Sequence, residues 1–195
     1  MDMAPAQPLP PRTRAGTVTP ILGWTFTAPL GSVTNFVSLI SPVGFELQVR
    51  YWLTSRFTLG AGGDWATFVQ DRDRNTQDIN STTTITATAY NYMQTSNLRA
   101  LAQFYILENG PVLPYIGANF GVGWTTFYSE VADLVFSDTQ ASVLYGADIG
   151  AAIPLSERGT PLAIVNLRWS MAPAAEFLNG VDDVQTLGLT LGVGL

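Results

Sequence analysis

The sequence contains no cysteine, no histidine and no lysine, so its nine basic residues are all arginine. Without cysteine the chain forms no disulfide and has no thiol nucleophile. Without histidine it lacks the commonest general base and the imidazole ligand of many metal sites. Enzymes built on a Ser-His or Cys-His pair are therefore excluded. The formal net charge of −6 also argues against nucleic-acid binding.

Long hydrophobic runs are missing as well, although 47% of the residues are hydrophobic. No stretch comes near the roughly 20 apolar residues that a transmembrane helix needs. The apolar residues are instead divided into short alternating series. This distribution is typical of a membrane β-barrel, in which lipid-facing and interior positions alternate. A soluble β-sandwich has the same average composition, so composition alone leaves both open.

The clearest pattern in the sequence is an alternation with a period of two. It predicts strands rather than helices, because a strand sorts alternate residues onto opposite faces. In segment 186–195, leucine and valine alternate with threonine and glycine. In segment 43–53, apolar residues occupy the odd positions, whereas Glu46, Gln48 and Arg50 occupy even ones. One face of each segment is thus aliphatic and the other small or polar.

Extending this pattern along the chain predicts eight strands, joined alternately by short turns and long, mostly polar connections. Short turns at the periplasmic end and long loops at the outer end are typical of an outer-membrane barrel. We therefore predict an all-β fold, an eight-stranded antiparallel up-and-down transmembrane β-barrel over residues 17–195. The predicted strands are 17–29, 42–53, 57–69, 84–106, 113–127, 139–154, 161–171 and 184–195. The predicted long connections are 30–41, 70–83, 128–138 and 172–183.

The segment before the barrel, residues 1–16, contains four prolines and no apolar stretch. It therefore does not have the composition of a secretory signal. We expect it to form an extended or disordered periplasmic segment. Export then requires a signal that has been removed or lies outside this sequence.

Four tryptophans lie late in the odd-numbered predicted strands and share the parity of the apolar face. Aromatic residues concentrate at the membrane interfaces of such barrels. We therefore predict an outward-facing aromatic girdle at about one height, just below the end with the long connections. Core tryptophans of a soluble sandwich are the alternative. The four residues are Trp24, Trp65, Trp124 and Trp169.

The inward parity of the strands carries three acidic and three basic residues. The interior of an eight-stranded barrel is just wide enough for side chains to fill, and buried charges are costly unless they are paired. The pattern predicts an interior charge network that closes the barrel as a salt-bridged plug, with a gated polar pathway as the alternative. The six residues are Glu46, Arg50, Asp64, Arg99, Asp148 and Arg168.

The long connections are rich in acidic residues, which we interpret as a solvated surface. Loose divalent-cation bridging to lipopolysaccharide phosphates is the alternative. The series Asp71-x-Asp73-x-Asn75 begins like a calcium-binding loop. However, its sixth position is not glycine, and Thr82 stands where a bidentate carboxylate is needed. We therefore predict no metal site and no cofactor.

Several short motifs of the strands and turns carry a resemblance to a known family. They are Gly23-Trp24, Ala28-Pro29-Leu30-Gly31-Ser32, Gly44-Phe45-Glu46-Leu47, Arg50-Tyr51-Trp52-Leu53, Pro114-Tyr115-Ile116-Gly117 and the ending Gly188–Leu195. The chain resembles the small eight-stranded outer-membrane barrels, similar in architecture to the OmpA membrane domain, OmpX and OmpW. The resemblance implies a monomer in the outer membrane of a Gram-negative cell. It also implies contact with lipid and lipopolysaccharide, and with the barrel-assembly machinery during biogenesis. Such proteins usually end in an aromatic residue, whereas this chain ends in Leu195.

Three functions fit a barrel of this kind. They are a non-enzymatic structural or surface-interaction role, a narrow pore or lateral-diffusion channel for small solutes, and an enzyme acting on lipid or peptide. The missing histidine argues against the enzyme, because small barrel lipases and acyltransferases rely on histidine. The balanced interior charge argues against an open channel. We therefore predict the first function, with no catalytic residues. A soluble lipocalin-like barrel, the alternative fold, would need an apolar interior.

Overall fold

The computed structural model describes residues 14–80, 83–131, 134–156, 160–173 and 181–195. These residues form eight strands: β1 (Val18–Leu30), β2 (Gly44–Trp52), β3 (Phe57–Asn80), β4 (Thr83–Tyr105), β5 (Leu113–Val131), β6 (Leu134–Pro154), β7 (Leu162–Pro173) and β8 (Asp183–Gly194). Each strand pairs antiparallel with its neighbours in sequence, and β8 pairs with β1 to close the barrel. The predicted fold class is confirmed.

The two faces of the barrel wall differ in chemistry because alternate residues of a strand point in opposite directions. The outer face is aliphatic and aromatic; Leu22, for example, is 63% exposed. The inner face is polar in the middle of the barrel, where Glu46 is only 1% exposed. Soluble domains show the reverse, because unpaired charges are almost never buried and large apolar surfaces are rarely exposed. The outer face therefore suits contact with hydrocarbon. The alternative fold, a lipocalin-like barrel with an apolar interior, does not fit, because the middle of this interior is polar.

Two hairpins extend further than the sequence indicated. Segment 70–83, predicted as a connection, belongs almost wholly to β3 and β4, which pair along their length with two irregularities. The described part of 128–138 likewise belongs to β5 and β6. The prediction was wrong here because polar residues indicate that a segment lies in water. They do not distinguish a loop from a paired strand. A hairpin in water still pairs its backbone groups.

The connection 30–41 lies between β1 and β2 as predicted, but it folds into the barrel mouth. It contains a short 3-10 helix, Gly31–Asn35, whose first residue has φ of +66°, a backbone conformation that favours glycine. Val33 and Val37 are fully buried. We call segment 30–41 the lid. Most of the predicted connection 172–183 lies outside the described residues.

No helix among the described residues has the length and apolar character to cross a membrane.

The strand register fixes the geometry of the barrel. The row of register partners that starts at Trp24 and passes through β2, β3, β4 and β5 reaches Ala141 on β6. In the other direction, through β8 and β7, the same row reaches Ala151. The two ends differ by ten residues. A stagger of this kind tilts the strands by about 40° to the barrel axis.

Candidate functional site in the barrel interior

The lumen is filled by three stacked layers of side chains. An apolar layer lies at the lid end, a charged layer lies in the middle, and an aromatic layer lies at the short-turn end. The apolar layer consists of Val33, Phe36, Val37, Ala66, Phe68, Met93, Phe127, Val181 and Val184. The aromatic layer consists of Ile21, Trp52, Tyr105, Leu113, Tyr115, Ala152, Leu162 and Ile164.

The charged layer is built around two neighbouring carboxylates. Glu46 on β2 and Asp64 on β3 are direct register partners, so like charges stand side by side and need counter-charges. Arg168 reaches across the lumen from β7 and forms an ion pair with Glu46. Arg99 on β4 forms an ion pair with Asp64. The two pairs are linked, because Arg168 Nη1 lies 4.0 Å from Asp64 Oδ1.

Hydrogen bonds from uncharged side chains complete this arrangement. Thr190 Oγ1 donates to Glu46 Oε2 at 2.8 Å, and Gln48 Nε2 donates to Glu46 Oε1 at 2.5 Å. Arg99 Nη1 donates across the lumen to Ser170 Oγ on β7 at 3.2 Å. The network therefore joins β2, β3, β4, β7 and β8. Bonds that run across the lumen hold the walls together, and they satisfy charges that would otherwise be buried without partners.

Asp148 on β6 stands at the margin of this group. It is the register partner of Arg168, but Arg168 Nε lies 3.9 Å from its Oδ1. Its direct hydrogen bonds come from Gln103 Nε2 at 2.9 Å and Asn119 Nδ2 at 3.3 Å. A Cβ at Gly117 would lie 2.6 Å from Asp148 Oδ2 and 3.0 Å from a backbone oxygen. Only glycine therefore leaves room for this carboxylate.

Arg50 is the predicted member that the structure places apart from the ion pairs. Its guanidinium donates to Gln48 Oε1 at 2.9 Å, Tyr105 OH at 2.9 Å and Tyr115 OH at 3.2 Å. It also lies 4.9 Å from the centroid of the Tyr115 ring, within cation–π range. Arg50 follows Glu46 by four residues on β2, which is about 13 Å along a strand. It therefore belongs to the aromatic layer.

The tyrosines that hold Arg50 were missed by the sequence reasoning, which considered only charged residues of the inward parity. Trp52, Tyr105 and Tyr115 form a run of ring contacts, with centroids 4.5 Å and then 5.1 Å apart. Trp52 Nε1 donates to Thr19 Oγ1 at 3.1 Å. The sequence does contain a signal for this layer. Tyr105 and Arg99 are an even number of positions apart on the same strand, so their side chains face the same side. Parity applied to every large side chain would have found this layer.

The lid is fixed to the barrel by specific contacts. The Phe36 ring packs edge-on against Phe127 with centroids 5.2 Å apart. Asn91 Nδ2 donates to the Phe36 carbonyl oxygen at 2.9 Å. Ser32 Oγ accepts the backbone N–H of Asp183 at 3.1 Å. The lid thus bonds to β4, β5 and the start of β8. In the sequence, the lid is indicated only by a group of apolar residues within segment 30–41, which we predicted to be a solvated connection.

Comparisons with known proteins were made by sequence and by structure. No family model matches the chain, and no curated protein matches it. Ail, the attachment invasion locus protein of Yersinia pestis, is similar with a TM-score of 0.57 and 15% identity, over 92% of this chain and 97% of that one. Neisserial surface protein A has a TM-score of 0.55 and 13% identity, over 91% and 94%. The outer membrane protein OprG of Pseudomonas aeruginosa has a TM-score of 0.51 and 16% identity, over 93% and 95%.

The chain has the fold of the eight-stranded outer-membrane barrels. At these identities the likeness shows the fold alone. It confirms the architecture that the sequence motifs implied, and it agrees with the predicted location in the bacterial outer membrane.

The four tryptophans of the predicted girdle all lie on the outer face of this barrel, where Trp24 and Trp124 are exposed and the other two are half-buried. Trp24, Trp65 and Trp124 occupy one row of register partners. Because the strands are tilted, such a row rises by about 3 Å per strand, so Trp24 and Trp124 differ by about 12 Å in height. The tryptophans therefore form an inclined band and do not share one height.

Among the described side chains, no group of three or more acidic residues is placed to hold a metal ion. The side chains of Asp73 and Asn75, from the calcium-like series, lie outside the described residues. The same holds for residues 1–13 of the proline-rich segment.

Proposed function

We propose that this protein is a non-enzymatic barrel of the bacterial outer membrane with a structural or surface-interaction role, closed inside by a charge-paired plug. The observation that carries the proposal is the complete set of three interior layers. A solute crossing the barrel would meet the lid, the ion pairs and the aromatic layer in turn. Each layer contains fully buried side chains from several strands.

The charged layer gives the strongest support for closure. Glu46 and Arg168 come from strands that are not neighbours, β2 and β7, and meet inside the lumen. Separating a buried ion pair of this kind costs about 3–5 kcal/mol, because each charge is left without a partner. A passage would require this step in addition to displacement of the lid. We infer that the resting barrel is closed.

The surface role rests on the two long hairpins. β3 continues fifteen residues beyond Trp65, to Asn80. At a tilt of about 40° this corresponds to about 35–40 Å along the barrel axis. β5 and β6 extend beside it and pair as far as Val131 and Leu134. Paired backbone that projects past the band of tryptophans offers a broad antiparallel sheet for contact with other molecules.

The partners in this proposal are those of a monomeric envelope protein. The aliphatic wall contacts outer-membrane lipid and lipopolysaccharide, and the acidic residues near the hairpins form a solvated surface. The barrel-assembly machinery inserts the chain during biogenesis, and nucleic acid is not a partner. Two of the structurally similar proteins are named for attachment and invasion and for the cell surface, which are roles of this class.

The chemistry of the interior supports a non-enzymatic role. The chain offers no histidine or cysteine, and the carboxylates of Glu46, which is buried, and Asp64, which is half-buried, are already engaged by arginine. Catalytic acids and bases need access to a substrate proton. Carboxylates locked in ion pairs beneath a lid do not provide it.

The test is conductance of the refolded protein in planar bilayers. We expect no steady single-channel currents from wild type, and we expect Arg99→Ala to unfold more readily than wild type in detergent. Arg56→Ala, which breaks an exposed pair with Glu108, serves as the matched control. Large steady currents in wild type, together with an Arg99→Ala variant of unchanged stability, would replace the plug with the alternative function, a narrow pore for small solutes.

A further inference from the structure

Three exposed residues lie side by side on the outer face of the long hairpins. Asp71 on β3 is the register partner of Tyr90 on β4, and Tyr90 is the register partner of Glu130 on β5. All three are exposed, Tyr90 by 39%. Direct partners in a sheet have Cβ atoms about 5 Å apart, so one aromatic ring is flanked on both sides by a carboxylate. We call these three residues the acidic tyrosine row.

The direction of this row is fixed by the neighbouring row of the same three strands, Gln70, Asn91 and Ser129, which are also register partners. Gln70 Oε1 accepts a hydrogen bond from Ser38 Oγ of the lid at 3.1 Å. Asn91 Nδ2 donates to the Phe36 carbonyl oxygen of the lid at 2.9 Å. Ser129 Oγ donates to Asn91 Oδ1 at 3.1 Å. Because adjacent residues of a strand point to opposite faces, these inward contacts hold the acidic tyrosine row outward.

The acidic tyrosine row lies beyond the band of tryptophans. Asp71 follows Trp65 by six residues on β3, and Glu130 follows Trp124 by six residues on β5. At a tilt of about 40° this is about 15 Å along the barrel axis. Neither carboxylate forms an ion pair with any side chain that the structure describes. Both charges are therefore open to a ligand that approaches from outside the cell.

Aromatic and aliphatic surface surrounds the row. Tyr92 and Tyr128 are register partners in the outward row nearer the membrane, and Val135 on β6 is the register partner of Glu130. Tyr128 is 39% exposed and Val135 65%. Apolar surface that is exposed to water and rimmed by polar groups is typical of interaction sites, and tyrosine is enriched among the residues that dominate binding at protein interfaces.

We propose that the acidic tyrosine row binds a basic segment of a partner polypeptide, with an arginine or lysine side chain placed over the ring of Tyr90. The face of an aromatic ring attracts a cation within about 6 Å of the ring centroid. The carboxylates of Asp71 and Glu130 add attraction from both sides, and a guanidinium bonds a carboxylate through two N–H groups. The proposal rests on the surface-interaction role and names the chemistry of the partner.

The surroundings favour a basic side chain over a metal ion. A divalent cation requires several oxygen ligands within about 2–2.6 Å, whereas the strands that carry Asp71 and Glu130 are about 10 Å apart with Tyr90 between them. Arginine and lysine have an apolar stem that packs on apolar surface while the charged head stays in water. Tyr128 and Val135 provide that surface, which a free ion would leave unused.

The experiment measures binding of a fluorescently labelled hexa-arginine peptide to the full-length protein in phosphatidylcholine nanodiscs, by anisotropy. We expect Tyr90→Leu to weaken binding by about two- to fivefold, because the cation loses the ring. Tyr90→Phe keeps the ring and should bind like wild type. Neither variant changes the net charge, so general attraction of the peptide to an acidic protein does not account for a difference between them.

Charge variants test the two carboxylates. Asp71→Asn and Glu130→Gln should each weaken binding by up to about fivefold, the range of an exposed ion pair. The matched control is Glu108→Gln, which removes the same charge from an exposed residue beyond the end of β4 and should leave binding unchanged. Heat-modifiable gel mobility confirms that each variant is folded, and the carboxylate variants decide if Tyr90→Leu is not.

Equal binding by wild type and all the variants would overturn the proposal, since the peptide would then respond to net charge alone. Absence of peptide binding to wild type would also overturn it. Binding of Ca²⁺ that displaces the peptide and persists in Tyr90→Leu would replace it with a metal site. These outcomes are distinct from failure of the proposed function: steady conductance by wild type would refute the closed barrel, whereas equal binding in a barrel without conductance would refute this site only.

Discussion

Removal of Arg168 should destabilise the barrel more than removal of any exposed arginine. Its side chain is 6% exposed and pairs with Glu46. It also lies 4.0 Å from Asp64 and 3.9 Å from Asp148. In Arg168→Met the aliphatic volume remains, but Glu46 loses its cation and Asp148 loses its nearest positive charge. Breaking a buried pair by removal of one partner costs about 3–5 kcal/mol, and we expect a loss of free energy of unfolding in that range.

The control for this prediction is the pair between Arg56 and Glu108, whose side chains are 48% and 43% exposed. Arg56→Met should change the free energy of unfolding by about 0–1 kcal/mol, because water screens an exposed pair. The double variant Arg168→Met with Glu46→Gln should lose less than the sum of the two single variants. A coupling energy of about 0.5–3 kcal/mol is expected for residues in direct contact.

The assay is urea unfolding in lipid vesicles, followed by tryptophan fluorescence and by heat-modifiable gel mobility. The reasoning fails if Arg168→Met and Arg56→Met lose equal stability. It also fails if the double variant shows no coupling, because the cross-lumen ion pair would then contribute nothing to the fold.

Three further predictions concern the wall, the orientation and the lid. Leu189→Arg places a charge on the lipid-facing side and should cost about 2–4 kcal/mol if it lies near the midplane; unchanged folding into liposomes would contradict the assigned faces. A tag or protease site at Asn75 should be reached from outside intact cells and one at Asn109 should not; the opposite result would mean that the barrel is inserted the other way round. Since the chain has no native cysteine, Val33→Cys reports on the lid. It should resist thiol reagents alone and react when combined with Phe36→Ala, and equal labelling in both backgrounds would show that the lid is not closed.

The lid shows how a barrel with a polar interior is capped in this protein. Its buried residues face Phe68 and Met93, so apolar side chains of the wall continue above the charged layer. Burial of a phenylalanine such as Phe36 contributes about 1.5–3 kcal/mol. That is enough to contribute substantially to holding a short segment in place.

The alternation of residues determined most of the architecture. Parity assigns a residue to one face of a strand, and this needs only local sequence, since the period of a strand is fixed. The strand number, the aliphatic outer wall and the inward direction of Glu46 and Arg168 all follow from it. The lengths of the hairpins did not follow, because polar residues outside the membrane are compatible with both a loop and a paired strand.

The tertiary structure decided which inward residues meet and at what height. Register is set by closure of the whole barrel, and a stagger of ten residues between Ala141 and Ala151 is a property of all eight strands together. That stagger brings Arg168 to Glu46 and inclines the band of tryptophans, whereas the separation of Arg50 from Glu46 follows from their spacing along β2. The lid also belongs here, because only the closed mouth gives Phe36 an apolar surface to cover. The face to which a side chain points depends on local sequence and can be predicted from it. Its height along the axis of a tilted barrel depends on the register of all the strands and cannot.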